Sequence, residues 1–184
     1  MLYDNSTFAL AQTHFEGQAL MPDTSMLNDP HQPHDHSECV SGALESAEHL
    51  CERAGVRFTA LRKRVLELVW ASHKPLGAYD ILDTLARADG RRAAPPTVYR
   101  ALDFLLEQGL VHRIASLNAF IGCPSPEHSH QGQFLICKQC HIAIELDRDA
   151  IRRAIADSAD AAGFQIESET VEITGVCAQC QAAA

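Results

Sequence analysis

The sequence predicts an α+β protein with a helical N-terminal part and a small mixed α/β C-terminal part. Three observations predict it: amphipathic helices over residues 41–113, two apolar runs around the Ser116–Asn118 turn, and two Cys-x-x-Cys pairs near the C-terminus. The chain has 184 residues, of which 46% are hydrophobic and 21% charged. These figures exclude fibrous and fully disordered proteins, because such a composition can bury a core.

Residues 1–40 are expected to form a disordered, acidic, His-containing tail. They show no helical or strand period, and three prolines interrupt them. Residues 1–50 contain eight acidic residues and no Lys or Arg, so they lack the basic start of a signal peptide. No apolar run approaches the roughly 18 residues of a membrane span. A cytoplasmic protein without a membrane partner is therefore expected.

Four helices are predicted in the next segment. Ser41 and Thr59 are expected to cap the first two, because Ser and Thr side chains accept a backbone N–H of the first turn. The fourth spans Thr97–Gln108 and follows two prolines. The third is a short helix that ends at Gly90 and contains these apolar residues: Tyr79, Ile81, Leu82, Leu85 and Ala86.

Two apolar runs follow these helices. Leu110–Ile114 and Ala119–Gly122 flank the Ser116–Asn118 turn, which predicts a β-hairpin. Helices followed by a hairpin are typical of a winged helix-turn-helix, which we therefore expect over residues 41–115.

Residues 116–184 are predicted to form a small α/β domain. Phe134–Ile136 and Ile142–Glu145 have the composition of strands, and Asp147 is expected to cap a helix. Alternation over Phe164–Thr174 predicts a further strand with these inward-facing residues: Ile166, Val171 and Ile173.

Two Cys-x-x-Cys pairs predict a zinc site, and they are Cys137/Cys140 and Cys177/Cys180. Each pair can bind one face of a metal ion, and together they complete a tetrahedral thiolate shell. Disulfides or unbound thiols are the alternatives, but a chain without an export signal is expected in a reducing compartment. Four thiolates leave no open position, so a structural and not a catalytic role is predicted.

A second set of metal-ligand side chains spans the hairpin and the strands after it. His112 lies on the first strand of the hairpin, Cys123 follows the second, and Glu145 ends a later strand. His128 and His130 lie in the intervening loop, and either could complete the set. A cysteine, one or two histidines and a carboxylate suit zinc, in a shell weaker and more pH-sensitive than four thiolates.

Positive charge is concentrated in residues 51–113, which carry +4 in a chain of net charge −9. A phosphate contact depends on the field within about 10 Å, so the acidic total does not exclude nucleic acid. The N-terminal end of the second helix of a helix-turn-helix enters the major groove. The residues at that end of the fourth helix that could contact DNA are Thr97, Tyr99 and Arg100. The second helix adds three basic residues: Arg62, Lys63 and Arg64. A solvated charged face is the alternative.

The chain resembles the ferric uptake regulator family, and most of all its zinc uptake regulator branch, over about residues 41–181. The similar stretches are PPTVYRALDFLLEQGLVH, IGC, EHSHQGQFLICKQC and GVCAQC. The resemblance implies a zinc-loaded homodimeric repressor that dimerises through its C-terminal domain. Its winged helix would bind palindromic, AT-rich operator DNA of zinc-uptake genes.

The resemblance also implies roles for individual residues. It assigns a structural zinc to Cys137, Cys140, Cys177 and Cys180. It assigns a regulatory zinc at the domain hinge to His112, Cys123, His130 and Glu145. It assigns DNA contacts to Tyr99 and Arg100. About two zinc ions per subunit and no enzymatic activity are then expected.

Two alternative functions are also consistent with the sequence. A regulator of the same family could respond to iron or peroxide, although the soft thiolate of Cys123 favours zinc. A zinc hydrolase could use Glu145 as its base, although the sequence indicates neither a substrate pocket nor oxyanion donors.

Overall fold

The fold is that of a computed structural model, which describes residues 35–89, 94–127, 132–146 and 148–183. These ranges contain six helices and two three-stranded sheets, so the predicted α+β class is confirmed. His128, His130 and Asp147 lie outside the described residues, as does most of the expected tail. Among the described helices, none has the length and apolar character required to span a bilayer.

The N-terminal part consists of four helices and one sheet. The helices are α1 (His36–Arg53), α2 (Ala60–Trp70), α3 (Ala78–Asp89) and α4 (Pro95–Glu107). The antiparallel sheet has the order β1-β3-β2 and consists of β1 (Leu76–Gly77), β2 (Val111–Ile114) and β3 (Ala119–Gly122). The hairpin β2–β3, here called the wing, matches the prediction. Strand β1 is not predicted by the sequence, because two residues are too few to show an alternation of apolar and polar side chains.

The first helix begins earlier than the sequence predicts. Asp35 is its N-cap and accepts the N–H of Ser37 at 2.8 Å, so Ser41 lies inside the helix. Asp and Ser are comparable N-caps, and residues 36–40 contain nothing that stops a helix. Thr59 caps α2 as predicted.

The helices pack around one apolar core to which α4 contributes most. Its buried residues are Val98, Ala101, Leu102, Phe104 and Leu105. Each such large side chain contributes about 1.5–3 kcal/mol on burial, so the core holds α4 in one orientation. Tyr79, in the first turn of α3, does not join this core and is 71% exposed.

The C-terminal part contains a three-stranded sheet and two helices. The elements are β4 (Gln133–Cys137), β5 (Ala143–Leu146), α5 (Asp149–Ala161), β6 (Val171–Gly175) and α6 (Ala178–Ala182). The sheet has the order β5-β4-β6, with β4 antiparallel to β5 and parallel to β6. The inward orientation predicted for Ile166 and Ile173 is wrong within this chain, since both are exposed.

The two faces of the C-terminal sheet differ in their surroundings. One face packs against the wing through a buried apolar cluster of Ile114, Ile121, Phe134, Ile136 and Ala143. The other face carries Leu135, Ile144 and Ile173, and α5 buries none of its residues. The wing and the C-terminal sheet therefore meet at a packed hinge.

Candidate metal centres and DNA-binding surface

Four cysteines converge where β4 ends. Cys137 is the last residue of β4, Cys140 lies in the following turn, Cys177 is the N-cap of α6 and Cys180 lies within it. Their sulfur atoms all lie within 4.8 Å of one another. The Sγ atoms of Cys140 and Cys177 are 3.7 Å apart. This distance matches the edge of about 3.8 Å of a tetrahedron with Zn–S bonds of about 2.3 Å, so the four residues fit a closed zinc shell.

The backbone near Cys137 stabilises a thiolate. The N–H groups of Cys140 and Cys177 lower the pKa of the Cys137 thiol to about 5, and the Cys177 nitrogen is 3.4 Å from its sulfur. Hydrogen bonding to the Cys177 side chain, together with burial, raises the pKa of Cys180 to about 12. Neighbouring thiols cannot all ionise without a cation. Metal binding here must release protons, so it weakens as the pH falls.

Three more ligand-type side chains converge at the hinge. His112 of β2, Cys123 just after β3 and Glu145 of β5 place their ligand atoms within 4.8 Å of one another. His112 Nε2 lies 3.0 Å from Glu145 Oε1, and these two side chains are 14% and 8% exposed. Zinc accepts sulfur, imidazole nitrogen and carboxylate oxygen, and three such ligands leave one tetrahedral position for a fourth.

Phe134 and Gly132 lie beside the ring of His112. The Phe134 ring meets it edge-on with 5.5 Å between centroids. A Cβ added to Gly132 would lie 2.4 Å from the Phe134 ring and 3.2 Å from His112 Nδ1. Only glycine lets the chain pass this close, and the segment carrying His128 and His130 joins the described chain here.

Gly122, which precedes Cys123, lies against the indole of Trp70. A Cβ at this position would be 2.2 Å from Trp70 Cε2. Gly122→Ala is therefore expected to lower the free energy of unfolding by about 1–3 kcal/mol, as overpacking does. Urea unfolding measures this change. The control is Gly42→Ala, at an open helical position where nothing lies within 4 Å of the added Cβ. An equally stable Gly122→Ala protein would contradict the close contact.

The N-terminal end of α4 presents a polar, basic surface. Thr97 in the first turn and Tyr99 and Arg100 just after it are exposed, and Pro95 and Pro96 occupy the first two helical positions. The turn contains no acidic residue, and no ion pair joins Arg100 to a described carboxylate. Phosphate oxygens and guanine edges are the groups that such a helix end can bind.

The basic residues of α2 have partners within the chain. The guanidinium carbon of Arg62 lies 3.4 Å from the centroid of the Phe104 ring, so Arg62 attaches α2 to α4. Lys63 pairs with Glu48, and Arg64 pairs with Glu67. An exposed ion pair contributes only about 0–1 kcal/mol, so Lys63 and Arg64 can exchange these partners for phosphate at little cost.

A sequence model of the ferric uptake regulator family matches residues 53–174. The chain belongs to the ferric uptake regulator family. The match begins at the end of α1 and ends within β6, so it includes the wing and the whole hinge. The family predicted from the sequence motifs is thereby confirmed.

The relatives of this family member include zinc uptake regulators. The zinc uptake regulation protein of Escherichia coli K12 is 38% identical over 138 residues, which cover 74% of this chain and 80% of the relative. A zinc uptake regulator complexed with zinc and DNA has a TM-score of 0.74 at 36% identity, covering 78% of this chain and 96% of that one. Holo XcZur has a TM-score of 0.70 at 40% identity, covering 80% of this chain and 99% of the other.

Most of the predicted site residues are brought together in this family member. The four cysteines form one cluster, and His112, Cys123 and Glu145 form a second. Thr97, Tyr99 and Arg100 share one exposed turn. His130 and its rival His128 lie outside the described residues. Arg62 differs from the other candidates because its charge is stacked on an aromatic ring.

One further residue at the hinge has no signal in the sequence. Glu172 of β6 accepts hydrogen bonds from the backbone N–H groups of Ala115 and Ser116 in the wing. Its partners are 57 and 56 residues away and are backbone groups, so no side-chain motif could indicate the contact.

Proposed function

We propose that this protein is a zinc-responsive transcriptional regulator that binds operator DNA as a zinc-loaded homodimer and represses zinc-uptake genes. The convergence of His112, Cys123 and Glu145 at the hinge carries the proposal. Ligands drawn from the wing and from the C-terminal sheet make the relative orientation of these two parts depend on one bound ion. The similarity to a zinc uptake regulator complexed with zinc and DNA supports it.

We assign about two zinc ions to each subunit. The structural site consists of Cys137, Cys140, Cys177 and Cys180, and the regulatory site of His112, Cys123, Glu145 and His130. His112 and Cys123 of the wing and Glu145 of the sheet would together hold the regulatory ion, which would fix the wing against the sheet. His130 is two residues from Gly132, and two residues span at most about 7 Å. His128 remains the rival ligand, and a His130→Ala protein that keeps its zinc response would favour it.

The C-terminal domain, predicted over residues 116–184, is the proposed dimerisation unit, and its sheet consists of β4, β5 and β6. Its outer face exposes apolar side chains, of which Ile173 is 48% exposed, and α5 offers a further unburied surface. Contiguous exposed apolar surface is typical of protein interfaces. Such a dimer can present two copies of α4 to successive major grooves. The sequence predicts the DNA-binding domain over residues 41–115, and we propose that it also includes the start of α1 from His36 and strand β3 of its sheet. Residues 1–34 then form the proposed tail. The protein is proposed to be cytoplasmic and without enzymatic activity.

Metal-dependent DNA binding tests this function. Metal-free protein is titrated with zinc or with Fe(II), and fluorescence anisotropy follows binding to a duplex selected from a random library by the zinc-loaded protein. Zinc is expected to raise the affinity about 5–150-fold, the usual range of allosteric coupling. A response to iron alone would favour the iron-sensing alternative, and binding that ignores both metals would overturn the proposal.

Arg100→Ala is expected to weaken binding to the selected duplex by about 1–3 kcal/mol, since one bidentate contact to a base contributes that much discrimination. Competition with unrelated DNA measures the loss of specificity. Lys63→Ala is the control, because losing a phosphate contact weakens all sequences alike and reduces the salt slope by about one. Unchanged specificity of Arg100→Ala would place the recognition surface elsewhere.

A further inference from the structure

A second polar contact joins the C-terminal sheet to the turn of the wing. Glu172 Oε1 accepts the N–H of Ala115 at 2.6 Å, and Glu172 Oε2 accepts the N–H of Ser116 at 3.0 Å. Partial burial acts in the opposite direction, but hydrogen bonds from Ser116 and Ala115 lower the pKa of Glu172, so this carboxylate is ionised at neutral pH. Hydrogen bonds to an ionised acceptor are about twice as strong as neutral ones.

Glu172 and Glu145 belong to one cross-strand row. Phe134 of β4 pairs with Glu145 on one side and with Glu172 on the other. Residues paired in register project from the same face of a sheet, so all three face the wing. Glu145 reaches His112 near the open end of the hairpin, and Glu172 reaches the turn at its other end. The row therefore contacts both ends of the wing: Glu145 contacts it at the regulatory site, and Glu172 contacts it at the turn, away from that site.

We propose that Glu172 is a positioning residue that sets the zinc concentration at which this protein binds DNA, an inference that rests on the proposed function. Its two hydrogen bonds favour, without any metal, the arrangement of wing and sheet in which His112, Cys123 and Glu145 lie together. The apparent Kd of a ligand is its intrinsic Kd divided by the populated fraction of the competent state. Losing the Glu172 contact lowers that fraction and raises the zinc requirement, although every ligand remains.

Zinc titrations of the full-length Glu172→Ala and Glu172→Gln proteins, with binding to the selected duplex as the measurement, test this role. Glu172→Ala is expected to shift half-maximal DNA binding to zinc concentrations about 5–150-fold higher, with full binding recovered at high zinc. Glu172→Gln should lie between this variant and the wild type, because its amide keeps one acceptor oxygen. The matched control is Glu167→Gln, which removes the same charge from an exposed position and should leave the curve unchanged.

Hydrogen exchange on the DNA-free protein gives an independent measurement. The amide protons of Ala115 and Ser116 should lose protection in Glu172→Ala, while the zinc content of the four-cysteine site stays the same. If the wild type itself ignores zinc, the proposed function fails. If the wild type responds and Glu172→Ala has the same half-maximal zinc concentration, only the role of Glu172 is overturned. Binding lost at every zinc concentration would show a merely structural role and would also overturn it.

Discussion

Cys137→Ser is expected to remove the structural zinc and to unfold or dissociate the C-terminal domain. Cys137 is 4% exposed at the end of the central strand β4, and its sulfur lies beside that of nearby Cys140 and those of Cys177 and Cys180 from a distant segment. Serine stays protonated near neutral pH and is a poor zinc ligand. Structural zinc supplies an apparent binding free energy of about 10–16 kcal/mol in zinc-finger peptides. This free energy is at least as large as the free energy of unfolding of most domains, so a domain that loses its zinc is expected to unfold.

Elemental analysis and light scattering check this prediction through the zinc content and the size of the assembly. Cys39→Ser is the control, because Cys39 is a half-buried cysteine that belongs to neither cluster. It should keep both zinc ions and the dimer. A Cys137→Ser protein that remains a stable dimer with its full zinc content would contradict the structural assignment of the four cysteines.

Cys123→Ser is expected to abolish the zinc response of DNA binding and to leave the assembly intact. Cys123 is 2% exposed, and serine is nearly the same size, so the packing beside it should survive. Its hydroxyl cannot replace the thiolate as a zinc ligand. The variant should keep one zinc per subunit at the four-cysteine site. Its affinity for DNA should no longer show the increase of about 5–150-fold on addition of zinc.

Zinc content, size and zinc-dependent anisotropy together separate three possible roles of Cys123. A regulatory ligand changes only the anisotropy, a structural ligand also changes the size, and a spectator thiol changes nothing. Cys39→Ser is again a suitable control, since Cys39 lines the same surface cleft as Cys123. Undiminished zinc dependence in Cys123→Ser would overturn the hinge assignment.

The features that the sequence predicts correctly depend on residues close together in the chain. The Thr59 cap and the hairpin of Val111–Ile114 with Ala119–Gly122 involve neighbours a few residues apart. Each Cys-x-x-Cys pair is likewise a local arrangement, because three residues of chain suffice to bring two thiols onto one ion. The family follows from these motifs in their order along the chain, and the match over residues 53–174 confirms it.

Other features were decided by tertiary structure, because they depend on which distant segments pack together. His112, Cys123 and Glu145 meet only because the wing packs its apolar face against the sheet that contains β5. The contact of Glu172 with two backbone N–H groups depends on the register of β6 beside β4. The exposure of Ile173 also depends on packing, because alternation along a strand shows which residues share a face but not what covers that face.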